Sequence, residues 1–187
     1  AQVRPRRREA RLELDRPASH VLRLTLRAPG KLNAVGGAMH GELAAVWKTI
    51  GEDDETRAVI VRGADGAFSA GGDLDLVLEI AADVETRLRV FHEARDLVYN
   101  VIGCPKPIVS AITGPAVGAG LAVGLLADIS IATPAARIAS RHMMWSEAGS
   151  TSNGRSASRM SAAATNVLPS PASPSMSRLA SVVCVRP

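Results

Sequence analysis

Apolar and polar residues follow two different periods along the first part of the chain. RLELD and HVLRLTL alternate with a period of two, which predicts two strands joined by a turn at RPAS. From Gly36 to Ile50 the apolar residues recur at helical spacing and predict one buried face, formed by Met39, Leu43, Val46, Trp47 and Ile50. RAVIVRG predicts a short buried strand. Strands that alternate with helices favour an α/β fold.

The glycines of FSAGGDL are followed by a helical region and then by a second, longer helix. In the longer helix Val84, Leu88, Phe91, Val98 and Ile102 share one face. These two helices extend the alternation of strands and helices that favours the α/β class.

The stretch from Ile108 to Ala127 is 20 residues long and carries no charge, which is enough to cross a bilayer. It does not form one uninterrupted helical pattern, however. PIVSAI is a β-branched run of strand length, TGP is a turn signal, AVGAGLAVGLLA fits a short buried helix, and DISIAT is β-branched again. We therefore predict strand, turn, helix and strand, with no membrane span.

Composition divides the chain into three segments. Residues 1–11 form a basic N-terminal tail, residues 12–139 form the predicted folded core, and residues 140–187 are rich in Ser, Ala, Pro and Arg. The last segment has 12 Ser in 48 residues and only six Leu, Val, Ile or Phe, which predicts disorder. Both tails are basic, so the core has a net charge of −4, and no nucleic-acid partner is expected.

Cysteine and histidine spacing gives no metal signature. Cys104 and Cys184 form no CxxC pair and have no His at ligand spacing, so we predict neither a metal site nor a disulfide. The four histidines lie in no pattern with an acid or a nucleophile. No apolar region of a secretory signal follows the basic N-terminus, and a reducing, cytoplasmic location is expected.

Two glycine-rich loops are the candidate functional site. TGPAVGAG, residues 113–120, and AFSAGGDL, residues 67–74, each follow a strand and precede a helix. Two such units can present two backbone N–H groups from helix N-termini to a developing oxyanion. TGPAVGAG alone also matches the phosphate-binding pattern of short-chain dehydrogenases, but the only tyrosine, Tyr99, lacks the lysine four positions on that this family needs.

Residues 12–139 resemble the enoyl-CoA hydratase/isomerase (crotonase) family. The resemblance rests on HVLRLTLRAPGKLNAV, RAVIVRGADGAFSAGGDL and PKPIVSAITGPAVGAGLAVGLLADISIAT, in that order. It implies a spiral of β-β-α units and an acyl-CoA thioester ligand, with coenzyme A as part of the substrate and no separate cofactor. By the same resemblance the N–H groups of Gly72 and Ala119 form the oxyanion hole. The CoA and acyl path would be lined by Lys31, Leu32, Ala70, Asp73 and Leu74.

The chain departs from the family at the groups that handle water. Ala122 occupies the position of one family glutamate, and the segment that would carry the second is replaced by ASRHMMWSEAG. The family's C-terminal helical region has no counterpart, so the chain resembles a truncated or frameshifted member and the family trimer is doubtful. Without those helices, apolar surface on the sheet and on the helix around Val84 to Ile102 is expected to lack its usual cover. We expect an enzyme of this family by descent, with hydratase activity in doubt. The alternatives are a non-catalytic acyl-CoA binding module and an NAD(P)-binding, short-chain-dehydrogenase-like protein.

Overall fold

The computed structural model describes residues 11–139 and 181–185, in which eight strands and four helices follow one another. The strands are β1 (Arg11–Ala18), β2 (Val21–Arg27), β3 (Ala58–Gly63), β4 (Ile108–Ile112), β5 (Pro115–Val117), β6 (Ile129–Ala132), β7 (Arg137–Ala139) and β8 (Ser181–Val185). The helices are α1 (Gly37–Glu52), α2 (Leu74–Ala82), α3 (Val84–Ile102) and α4 (Gly118–Leu126).

Six strands form one sheet in the order β1-β2-β3-β4-β6-β8, and β5 pairs with β7 in a second, two-stranded sheet. β2, β3, β4 and β6 run parallel, while β1 and β8 lie antiparallel at the two edges. Parallel neighbours require crossover connections, which α1 supplies between β2 and β3 and which α2 and α3 supply between β3 and β4. The predicted α/β class is confirmed, and β4, β5 and α4 follow one another as a β-β-α unit.

The core lies between the parallel strands and α1. Val59 and Val61 of β3 are fully buried, and the strand alternates buried and half-buried positions along its length. The predicted face of α1 is confirmed at Met39, Leu43, Trp47 and Ile50, while Val46 is only partly buried. The sequence patterns therefore predict β3 and α1 correctly.

The first hairpin turns later than predicted. β1 continues through Arg16, Pro17 and Ala18, and its register with β2 shifts between Asp15 and Ala18. The turn is at Ser19 and His20, with His20 at a positive φ of 62°. Of the predicted RPAS turn only Ser19 lies in the turn, because a strand-end irregularity accommodates Pro17 within β1 at the edge of the sheet.

α3 presents the predicted apolar face to solvent, in line with the expectation that this helix lacks its usual cover. The residues that α3 buries are Val90, Leu97 and Val101. The residues of the predicted face are all exposed, namely Val84, Leu88, Phe91, Val98 and Ile102. The helix thus has two apolar faces, and the sequence pattern identified the outer one.

Part of the predicted C-terminal tail is a strand. Ser181–Val185 forms β8 and pairs antiparallel with β6, so the expectation of disorder does not hold for these five residues. The SVVCV run is rich in valine, which suits an edge strand despite the surrounding composition. The remainder of residues 140–187 and the basic segment 1–10 lie outside the described residues. In the described part, no helix is both long and apolar enough to cross a membrane.

Candidate functional site

The two glycine loops meet at one place in the fold. Ser69 bridges Ala116 in a parallel pairing, and the Val117 amide donates to the Ser69 carbonyl at 2.9 Å. On its other side the first loop pairs with the segment before α1, because Val35 bridges Gly72. The loop at residues 69–72 therefore lies between the start of α1 and the start of α4, as the two-loop prediction requires.

Close backbone contact makes two of these glycines structurally necessary. Gly71 has a φ of +88°, and a Cβ placed on it would lie 2.8 Å from the Val117 carbonyl oxygen and 3.7 Å from the Ala119 nitrogen. A Cβ on Gly120 would lie 2.3 Å from the Ser69 Cβ. Both positions exclude a side chain, and the first of them places the Gly71 backbone beside the Ala119 amide.

Gly72 and Ala119 are both exposed at this junction. The Gly71 carbonyl and the Asp73 amide bond to Val35 at 2.7 and 2.9 Å, so the Gly72 amide between them faces away from Val35. Ala119 lies in the first turn of α4, where backbone N–H groups have no partner within the helix. Each residue thus carries a backbone donor near the start of a helix, α2 or α4, on an accessible surface.

Lys31 is held by two carboxylates beside Gly72. Its Nζ lies 2.5 Å from Asp73 Oδ2 and 3.1 Å from Asp75 Oδ2. The hydrogen bond from Lys31 lowers the pKa of Asp73, and the hydrogen bonds to Asp73 and Asp75 raise the pKa of Lys31. Asp73 also caps α2 by accepting from the Asp75 amide at 3.4 Å. Lys31 and Asp73 are therefore charged near neutral pH, and any ligand group that contacts the ammonium meets the two carboxylates as well.

Apolar side chains flank the junction. Leu32 is 57% exposed at a positive φ of 47°, and Leu74 at the start of α2 is 69% exposed. Ala70 donates its amide to the Leu32 carbonyl. The two leucines and Ala70 thus place apolar surface beside the exposed backbone of the first loop.

Ala122 lies on the exposed face of α4. Ala119, Ala122 and Leu125 are all exposed at a spacing of three residues, which keeps them on one side of the helix. The side chain of Ala122 therefore supplies a methyl group next to the Ala119 position, and a methyl group can neither accept nor donate a proton.

Comparison with known proteins identifies the family. The sequence model of the enoyl-CoA hydratase/isomerase family matches residues 16–151. The chain belongs to this family. It is 38% identical over 118 residues to a probable enoyl-CoA hydratase of Mycobacterium tuberculosis, covering 63% of this chain and 45% of that protein. It is 36% identical over 121 residues to the 1,2-epoxyphenylacetyl-CoA isomerase of Escherichia coli, with the same coverage.

Solved structures agree with that assignment. An enoyl-CoA hydratase/isomerase from Mycobacterium paratuberculosis superimposes with a TM-score of 0.68 at 33% identity, over 72% of this chain and 54% of that one. Pseudomonas aeruginosa AtuE gives a TM-score of 0.65, also at 33% identity, over 72% of this chain and 52% of its own. The chain spans about half the length of the curated relatives it matches.

The family assignment removes support from the dehydrogenase-like alternative, and the local structure agrees. In a dinucleotide-binding fold the glycine turn leads directly from a strand into a helix. Here β5 separates Gly114 from α4 and pairs with β7, so TGPAVGAG is not one continuous strand-to-helix turn. Tyr99 lies on the exposed face of α3.

The sequence analysis did not identify the buried side chains that anchor the first glycine loop. Asn33 Oδ1 accepts from the Ala28 amide at 3.0 Å, and its Nδ2 donates to the carbonyls of Ala64 and Ala67 at 2.8 Å each. Ser69 Oγ donates to the Asn33 carbonyl at 2.8 Å and accepts from the backbone amide two residues later at 3.1 Å. The available signal for Asn33 is its type, since asparagine tolerates the left-handed φ of 58° that it adopts.

One histidine does pair with an acid, contrary to the sequence analysis. His40 Nδ1 lies 2.7 Å from Glu93 Oε2 and joins α1 to α3. Glu93 also accepts from Arg89 at 2.9 Å. The sequence separation of 53 between His40 and Glu93 hides this contact from any local pattern.

Within residues 11–139 and 181–185, no three His, Cys, Asp or Glu side chains come together as a candidate metal site. A surface cleft of about 280 Å³, lined among others by Trp47, Tyr99 and Cys104, lies at the C-terminal ends of α1 and α3. α1 begins beside Gly72 and has 16 residues, which places this cleft about 24 Å away along the helix. The cleft is therefore separate from the glycine junction.

Proposed function

We propose that the chain binds an acyl-CoA thioester at the junction of the two glycine loops. The thioester carbonyl oxygen accepts hydrogen bonds from the amides of Gly72 and Ala119, and the two helix starts favour the negative charge that develops on it. The observation that carries this proposal is the 3.7 Å approach of the Gly71 Cβ position to the Ala119 nitrogen, which brings the two loop backbones side by side.

The flanking side chains complete the proposed binding path. Leu32, Ala70 and Leu74 line the route of the acyl group with apolar surface. Lys31 lies at its edge, where Asp73 already pairs with the ammonium group. A CoA phosphate that reaches Lys31 therefore competes with a carboxylate, so the affinity contributed by this lysine is expected to be small.

The chemistry of such a site is enolate stabilisation at the carbon next to the thioester. Two hydrogen-bond donors lower the energy of the enolate oxygen and so acidify the adjacent C–H bond. Coenzyme A enters as part of the substrate and no separate cofactor takes part in this proposal. We propose a cytoplasmic location, which rests on the cysteine spacing of the sequence and its fit to a reducing compartment.

Ala122 favours a second candidate, a binding module without hydratase activity. Hydration needs groups that deliver a proton and activate water, each of which typically contributes about 10²–10⁴-fold. The methyl group of Ala122 does neither, and it leaves an apolar wall that suits the acyl chain. Binding of an acyl-CoA with hydration of crotonyl-CoA at background rate is the outcome expected for this chain.

The test of the oxyanion site compares two ligands and two variants. Ala119→Pro removes one N–H at a helix position that has no intrahelical partner, so the helix tolerates it better than at an interior site. Ala119→Ser keeps the N–H and serves as the matched control. Binding of a saturated acyl-CoA thioester and of the corresponding S-alkyl-CoA thioether, which lacks the carbonyl, is measured by calorimetry.

Ala119→Pro is expected to weaken thioester binding by about 2- to 10-fold and to leave thioether binding unchanged, because one hydrogen bond is lost. Ala119→Ser is expected to bind both ligands as the parent chain does. Equal weakening for both ligands would show that the Ala119 amide does not contact the carbonyl. Binding of NADH, with no binding of either CoA ligand, would support the dehydrogenase-like alternative.

A further inference from the structure

The exposed face of α3 carries a stripe of apolar residues that one charged residue, Arg95, interrupts. Its members are exposed by between 38% and 62% and are Val84, Leu88, Phe91, Val98 and Ile102, here called the outer stripe. The spacing of four, three, seven and four residues keeps them on one side of a helix, about 120° from the inward face of Val90 and Val101. A stripe of this length is what a helix presents to a second helix.

The outer stripe is symmetric about its own centre. Three pairs of positions lie at equal distances from position 93. The distances are nine residues for Val84 and Ile102, five residues for Leu88 and Val98, and two residues for Phe91 and Arg95. Two copies of α3 placed antiparallel, with a two-fold axis level with position 93, therefore match every apolar stripe residue with an apolar partner, except at one position.

The stripe residue without an apolar partner is Phe91, which faces Arg95 of the other copy. Arg95 is the charged residue within the stripe, and its side chain is 57% exposed. In the antiparallel register the Arg95 guanidinium of one copy faces the Phe91 ring of the other, a favourable cation–π pairing that occurs twice. Asp96, 2.8 Å from Arg95 in the same copy, keeps the charge balanced at the rim.

We propose that the outer stripe docks a second copy of this chain, with the two α3 helices antiparallel. A two-fold contact needs a self-complementary surface, which the symmetric spacing provides. α3 has 19 residues and is about 28 Å long, so the helix pair buries on the order of 1,000 Å² over both copies, at the lower limit of specific interfaces. An interface of this size is typical of a weak, reversible dimer.

A charge-pair experiment tests the partner and its direction together. In the antiparallel register Leu88 of one copy faces Val98 of the other, whereas within one helix these positions are ten residues apart and cannot meet. Leu88→Glu and Val98→Lys are made singly and together in the full chain, with Leu14→Glu as control because Leu14 is similarly exposed, at 50%, but lies on β1. Sedimentation velocity is recorded across the micromolar range, and circular dichroism checks that each variant keeps its helix content.

The parent chain and Leu14→Glu are expected to show one monomer–dimer equilibrium. Each single α3 variant should weaken the dimer by at least about 10-fold. The double variant should recover most of that loss, since the carboxylate introduced in one copy then faces the ammonium group introduced in the other, at two places in the dimer.

Two results would overturn this proposal. A parent chain that stays monomeric, or that forms a ladder of larger species, shows that the outer stripe does not make a closed two-fold contact. A double variant no better than the single variants excludes the antiparallel register, and with it the symmetry on which the proposal rests.

Discussion

Gly71 and Gly72 are adjacent in sequence but have different surroundings, so replacing each by alanine separates close backbone packing from simple chain flexibility. Gly71 adopts a φ of +88°, where a Cβ would lie 2.8 Å from the Val117 carbonyl oxygen. For Gly72 the nearest atom to an added Cβ is Val77 Cγ2 at 3.9 Å, an ordinary contact. We expect Gly71→Ala to destabilise the fold and Gly72→Ala to leave it nearly unchanged.

The size of the effect follows from two contributions at Gly71. A left-handed backbone costs a residue with a Cβ about 1–2 kcal/mol. The contact with the Val117 carbonyl cannot be relieved by rotating a side chain, since the obstacle is backbone, and overpacking of this kind costs about 1–3 kcal/mol. Gly71→Ala should therefore lower the free energy of unfolding by about 2–5 kcal/mol. Gly72→Ala should change it by less, or raise it by up to about 1 kcal/mol, because alanine restricts the unfolded chain.

Urea unfolding followed by circular dichroism measures both variants against the parent chain. Similar midpoints for the two variants would mean that the β5–α4 backbone does not lie against Gly71, and the junction of the two loops would lose its main support. A large loss for Gly72→Ala alone would reverse the assignment of the two glycines.

Three further changes test other contacts of the site. Asp73→Asn keeps a capping side chain but removes the charge paired with Lys31. Because the pKa of Asp73 is lowered in the folded state, its stabilising effect is present above its unfolded pKa of about 3.9 and is lost as the pH falls through the lower folded value. The difference in unfolding free energy between the parent chain and Asp73→Asn should therefore shrink from pH 7 to pH 3. A difference that stays constant over this range would contradict the ion pair. Ser69→Ala removes two buried hydrogen bonds and should lower the free energy of unfolding by about 1–3 kcal/mol in the same urea assay. Unchanged stability would argue that the hydrogen bond from Ser69 to Asn33 does not anchor the loop. Ala122→Glu adds one carboxylate at an exposed position and should leave hydration of crotonyl-CoA near background, since a single acid–base group lacks its partner. Ordinary enzymatic rates in the parent chain or in this variant would contradict the claim that two catalytic carboxylates are missing.

The fold could be predicted where local periodicity and burial coincide. β3 and α1 are predicted correctly because each has one buried face and a period that belongs to one kind of element. α3 is predicted correctly as a long helix, but its strongest apolar pattern is the exposed one. Periodicity shows that residues share a face and not which way the face points, so a helix with two apolar faces is ambiguous from sequence.

The site could be predicted as two loops but not as a set of contacts. Glycine-rich turns before helices indicated where backbone N–H groups would be presented, and the structure brings those loops together. The distinct roles of Gly71 and Gly72, the anchor at Asn33 and the pairing of His40 with Glu93 depend on atoms far apart along the chain. Local composition carries no information about such contacts.

Stability and proposed binding are coupled at the junction, and this coupling decides which substitutions are informative. The backbone contacts that fix Gly71 also set the direction of the neighbouring Gly72 amide, so a change at Gly71 disturbs folding and the proposed oxyanion site together. Ala119 and Ala122, by contrast, lie on the exposed face of α4 and bury little surface. Substitutions at these two alanines change a donor or an acid–base group while Val123, on the buried side of the helix, stays in place. For this reason the chemistry of the site is best tested from α4 and its architecture from Gly71.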